Sequence, residues 1–165
     1  MDFGIVSTGA NANYILSYDV SGELASDGTQ TGGLYDAVGK YNVRATALPI
    51  EVRSMPAFKI NGWVGWTNGV SNARIYARYI DAMDVDDSST AYGVAGLTEV
   101  DSMLTFDAHY SIELMEGSLR LTGSALNLAD ERAPLAPHEQ GYDANTHNPL
   151  GRVFQVGLRY TLGNG

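Results

Sequence analysis

Phe154, Val156, Leu158, Tyr160 and Leu162 occupy every second position of segment 152–162, with Val153, Gln155, Gly157, Arg159 and Thr161 between them. A strand turns successive side chains to opposite faces, so this segment predicts one unbroken apolar face and one largely wet face. The same period recurs five times upstream. It is cleanest over 103–114, where Leu104, Phe106, Ala108, Tyr110, Ile112 and Leu114 oppose Thr105, Asp107, His109, Ser111 and Glu113. At helical spacing these apolar residues would fall on opposite sides. Segments 119–128, 72–80 and 57–66 repeat the alternation. In 57–66 Gly62 falls on the apolar side and Trp63 on the polar side. Segment 5–18 is the most irregular, because Ile15 interrupts its polar side.

The connections between these six strands alternate in length. Turns at 67–69 and 115–118 are tight, and Asn68-Gly69 tolerates the positive φ that such turns require. The connections at 19–55, 81–101 and 129–151 are long and rich in turn formers. Within the first of them, YNVRATALPIEV predicts added strand above the main sheet. In an up-and-down meander every short turn then lies at one end and every long loop at the other. About ten residues per strand, rising ~3.3 Å each and tilted ~45°, span roughly the ~25 Å apolar band of an outer-membrane barrel. The expectation is an all-β chain: an antiparallel up-and-down meander of six transmembrane strands, apolar face toward lipid.

Charge placement sharpens this picture. The 165 residues carry a net charge of −9, which argues against a nucleic-acid partner. Most of the 19 acids fall in the three long loops, whereas Lys59, Arg74, Arg78, Arg120, Arg152 and Arg159 lie in or at the start of strands. Arg74, Arg78, Asp107, His109, Arg120 and Arg159 share the polar side and would line a watery lumen. Solvation alone accounts for them; contact with a transported ligand is the alternative. Trp66, Tyr79, Tyr110 and Tyr160 are candidates for interfacial aromatic girdles, with core packing as the alternative.

No run of about 18 apolar residues predicts a transmembrane helix. Met1-Asp2-Phe3-Gly4 lacks the basic and apolar regions of a secretory signal, so the expectation is a chain that stays inside the cell or one that is part of something longer. The absence of cysteine removes disulfides and thiolate metal sites.

Three groups of residues suggest chemistry. His138-Glu139, Asp143 and His147 bring metal-ligating types into one loop, but without rigid ligand spacing. Asp84, Asp86 and Asp87 lack the glycine and later glutamate of a calcium loop. Asp107 and His109 share a face, but no nucleophile is tied to them in the sequence. The reading is of no enzyme, no metal and no cofactor.

The last third resembles the C-terminus of a TonB-dependent outer-membrane receptor. The residues that carry the resemblance are Ala125-Leu126-Asn127-Leu128-Ala129-Asp130 with Pro134, then Gly141-Tyr142-Asp143, Asn148-Pro149-Leu150-Gly151-Arg152 and Val156-Gly157-Leu158-Arg159-Tyr160. Arg78-Tyr79-Ile80-Asp81 and Val100-Asp101-Ser102 resemble the family's preceding hairpins. Ala129 stands where the family has phenylalanine, and the last strand ends in Leu162 rather than in a terminal aromatic residue. The resemblance implies that residues 1–165 are the C-terminal part of a 22-stranded barrel, without its plug domain. It implies a Gram-negative outer-membrane location and import of a ferric siderophore, cobalamin or glycan with energy transmitted by TonB. The implied partners are outer-membrane lipid, the rest of the barrel and its plug, the TonB complex and a small-molecule ligand. Alternatives from the residues alone are a soluble β-sandwich binding module, or a small self-contained or oligomeric barrel.

Overall fold

The structure, a computed structural model, describes residues 3–21, 34–43, 52–85 and 96–162. The chain is all-β. Its main sheet contains β1 (Ile5–Tyr14), β6 (Phe58–Asn68), β7 (Ser71–Ile80), β10 (Met103–Leu114), β11 (Leu119–Leu126) and β12 (Val153–Tyr160), side by side in that order. Every neighbouring pair is antiparallel. The predicted meander of six strands is therefore present. β10 runs over the residues the alternation marked.

Several boundaries differ from expectation: β11 ends at Leu126 rather than at residue 128, and β12 covers Val153–Tyr160 within the expected 152–162. The first strand stops at Tyr14, opposite Phe58, instead of reaching Tyr18. Ile15 N still donates to Ala57 O at 3.0 Å, but the next residue on the facing chain is Pro56, which has no N–H to extend a ladder. β6 instead continues to Asn68, which pairs with Ser71. The turn thus centres on Gly69 and Val70, with Gly69 at φ +55°. At the second short turn, Met115–Gly117 forms a tight turn closed by Ser118 N, which donates to Met115 O at 3.0 Å. Met115, Glu116 and Gly117 all have positive φ there.

The long connections build small sheets of their own at the far end. β2 (Asp19–Ser21) pairs with β3 (Leu34–Asp36). β4 (Lys40–Val43) lies between β5 (Val52–Met55) and β8 (Met83–Val85), and β9 (Glu99–Val100) follows β8. β4 and β8 are parallel, the one parallel pairing among the described residues. The strand expected in YNVRATALPIEV is thus represented by β4 and β5, and residues 44–51 lie outside the described set.

The buried core also sits at this end. Tyr41, Met83, Val100 and Ala136 form one cluster, each at most 1% exposed, with Val85 packed against it. Each long loop contributes at least one of them, so the core locks the three loops together. The main sheet has no comparable core among the described residues.

Candidate functional site

Residues paired across an antiparallel ladder share a face, so the registers sort every side chain of the main sheet. One face carries Val6, Val64, Ile75, Phe106, Leu121 and Leu158, with the remaining alternate residues of all six strands. No charged residue lies on it. Ile75 is 54% exposed and Val156 91%. Among the described residues no second layer covers this face, as a β-sandwich would require. Trp66 and Tyr160 lie toward its short-turn end. Tyr79 lies at the long-loop end, in a row of rings with Phe58 and Tyr14. Tyr110 lies between the ends and brings its hydroxyl within 3.1 Å of Ser71 Oγ.

The opposite face holds all six residues singled out as lumen candidates: Arg74, Arg78, Asp107, His109, Arg120 and Arg159. They do not form one cluster. Near the long loops, Arg78 Nη2 lies 2.6 Å from Asp107 Oδ2, on the diagonal between β7 and β10. Asp107 is buried, and its Oδ1 accepts from Asn127 N at 2.9 Å. At mid-sheet, Arg74 stacks 4.4 Å from the Trp63 ring, and its Nη1 donates to the Tyr76 hydroxyl at 3.3 Å. Near the short turns, Arg120 pairs with Glu113 directly across β10 and β11. Arg159 lies opposite Arg120 on β12 and has no ion-pair partner among the described residues.

Trp63 was the misfit of the alternation, and the register supplies its reason. It faces Gly9 on β1, where an added Cβ would come within 2.7 Å of Trp63 Nε1. A glycine and a tryptophan together fill that width of the polar face. The sequence signal was the unmatched tryptophan itself.

His109 corrects one expectation. Ser124 Oγ lies 2.8 Å from His109 Nδ1, so a hydroxyl does stand beside this imidazole. The register across β10 and β11 brings the two together, at a separation of 15 residues. The arrangement lacks the third member of a triad. Both Asp107 oxygens are held elsewhere, by Asn127 N and Arg78, and the Tyr76 ring packs edge-on against the imidazole, 5.5 Å away.

The third long loop is clasped to the sheet by the stretches that carried the family resemblance. Asn127, at φ +50°, donates through Nδ2 to Glu131 O and Leu150 O and accepts from Glu131 N. Arg152 N donates to Asp130 Oδ1 at 2.8 Å. Gly151 is needed for this approach, because a Cβ there would stand 2.7 Å from Asp130 Oδ1.

Beneath the clasp, β7, β10 and β11 enclose a cavity of about 250 Å³ that Arg78 and Asn148 help line. Beyond it, Asp143 and His147 are 1% and 3% exposed. Asp143 Oδ2 and both ring nitrogens of His147 have no hydrogen-bond partner among the described residues. Burial holds His147 below its ordinary value of 6.5; Asp143 partly opposes this and Lys59 adds to it. His138 is engaged through Nδ1 by Gln140 N. No group of three or more metal-ligating side chains comes together among the described residues. Asp84 pairs with Lys40 at 2.8 Å, and Asp86 and Asp87 lie outside the described residues.

Fold and face together define an all-β chain built on a one-sided antiparallel sheet. No helix among the described residues is long and apolar enough to cross a membrane, which has no bearing on crossing by strands. Comparison with protein-family models, curated proteins and solved structures gave no match.

Proposed function

We propose that this chain is a wall section of an outer-membrane β-barrel: the C-terminal part of a TonB-dependent receptor that binds and imports a scarce ligand of the ferric siderophore, cobalamin or glycan class. One observation carries the reading. A charge-free apolar face runs across all six strands and is left uncovered among the described residues, while every charged residue of those strands lies on the other face. In water such a surface would drive aggregation; against hydrocarbon it is the expected exterior.

The edges support the same reading. Among the described residues β1 pairs only with β6 and β12 only with β11. Each outer edge therefore presents backbone groups that would cost several kcal/mol apiece in lipid if left unpaired. β1 starts at the short-turn end and β12 finishes there, so further antiparallel strands fit both edges. Six strands alone are fewer than the eight whose barrel interior side chains already fill. The chain therefore works with the rest of a barrel and its plug, and its chemistry is binding and gating without covalent catalysis. The long loops face outside and meet the ligand first.

Orientation is directly testable, because a chain without cysteine gives a clean background for single-cysteine labelling. In Gram-negative cells producing the chain within its barrel, Leu135→Cys in the third long loop should react with an impermeant maleimide. Glu116→Cys in a short turn should react only after lysis. Equal labelling of both in intact cells would defeat the proposal.

A further inference from the structure

We infer that the cavity under the third long loop is a binding site for a small organic carboxylate with an apolar body. The inference rests on reading the polar face as the side that meets ligand, and it specifies the ligand's chemistry. The argument comes from which polar groups of the cavity wall are already used. Asp107 Oδ1 accepts from Asn127 N, and Oδ2 makes no hydrogen bond among the described residues but lies 2.6 Å from Arg78 Nη2, so its charge is met by the guanidinium. Asn127 spends its carbonyl on Glu131 N and its amide on Glu131 O and Leu150 O. Asn148 Oδ1 accepts from Leu150 N at 3.0 Å.

What remains are chiefly donors. The Arg78 guanidinium is tied through one nitrogen and its side chain is 52% exposed. The Asn148 amide nitrogen has no partner among the described residues, and the Thr105 hydroxyl adds a further polar group to the wall. A wall whose one carboxylate is already ion-paired and whose remaining donors include the other guanidinium nitrogens and an amide favours an anion, and a carboxylate suits that planar fork. Apart from the Thr146 hydroxyl, which donates to Ser54 Oγ, the rest of the wall is apolar, with Ile80, Met103, Leu126 and Val153. It offers an apolar body a place away from water. The size fits as well: about 250 Å³ exceeds the roughly 150 Å³ that accepts benzene in an engineered apolar cavity.

The test uses benzoate and its neutral analogue benzamide, titrated by calorimetry into the whole chain folded in zwitterionic detergent. Benzoate should bind saturably and at least tenfold more tightly than benzamide. Asn148→Asp keeps the acceptor for Leu150 N and replaces the free donor with a negative charge. It should weaken benzoate at least tenfold and weaken benzamide, which carries no charge to be repelled, by less. Arg78→Gln should abolish the preference for benzoate. If that variant does not fold, because Asp107 is left unpaired, Asn148→Asp in the exposed loop decides the matter. Equal affinity for the two probes, no saturable binding, or an Asn148→Asp variant that binds benzoate normally would each overturn the site. Those outcomes leave the membrane reading intact, since it concerns the opposite face and is judged by labelling.

Discussion

Val156 and Gln155 are sequence neighbours on β12 with opposite surroundings, and arginine placed at each position separates lipid from water. Val156 lies midway along the strand, on the apolar face, and is 91% exposed. Gln155 faces the polar side, opposite Ser124. If the apolar face meets hydrocarbon, Val156→Arg places a cation near the bilayer midplane, at a cost of about 2–4 kcal/mol. That corresponds to roughly a 25- to 700-fold loss in membrane partitioning, at about 1.4 kcal/mol per factor of ten. Gln155→Arg adds a cation to a wet face and should stay within about 0.5 kcal/mol of the parent. The assay is flotation of the chain with phosphatidylcholine vesicles across a urea series. Copies can pair edge to edge in the vesicle, and that term is common to both variants and cancels in their difference. If the face instead meets water, a residue so exposed tolerates arginine as readily as Gln155 does. Indistinguishable partitioning of the two variants would therefore refute the argument.

Other substitutions probe the loop end. Asn127→Ala removes three hydrogen bonds and leaves a non-glycine residue at φ +50°; it should cost about 2–3 kcal/mol in urea unfolding, with Asn127→Gly costing less. The Arg78–Asp107 pair should respond asymmetrically. Arg78→Ala strands a buried carboxylate and should cost about 3 kcal/mol, whereas Asp107→Asn leaves a half-exposed guanidinium that water can solvate and should cost about 1 kcal/mol. Because His147 is held below 6.5 in the folded chain, the unfolded chain takes up its proton first as pH falls. The stability tied to the neutral imidazole is complete above about pH 6.5 and is lost as pH drops toward the lowered value. The urea midpoint should fall between pH 7 and pH 5, and fall less in His147→Leu.

Much of the main sheet was legible because its determinants are local. β10 matched its sequence segment because the alternation there is unbroken and a turn follows at Met115. β1 was overextended because its end is set by Pro56, which is distant in sequence. The faces of the six lumen candidates followed from strand parity alone. Their partners did not, since Arg78 with Asp107 and His109 with Ser124 depend on register and diagonal reach across strands. The loop-end core was hidden for the same reason. Tyr41, Met83, Val100 and Ala136 come from segments dominated by turn formers and acids, and no local period joins them. The motifs at Asn127–Asp130 and Leu150–Arg152 marked a clasp whose hydrogen bonds only the folded chain displays.

The two tryptophans test the central claim most directly, because Trp66 lies on the apolar face and Trp63 on the polar one. In vesicles whose acyl chains carry bromine, the Trp63→Phe variant reports Trp66 alone, and the Trp66→Phe variant reports Trp63 alone. Strong quenching of Trp66 with little quenching of Trp63 is the predicted result. Equal quenching of the two, or none of either in a chain that stays monomeric in buffer, would contradict it.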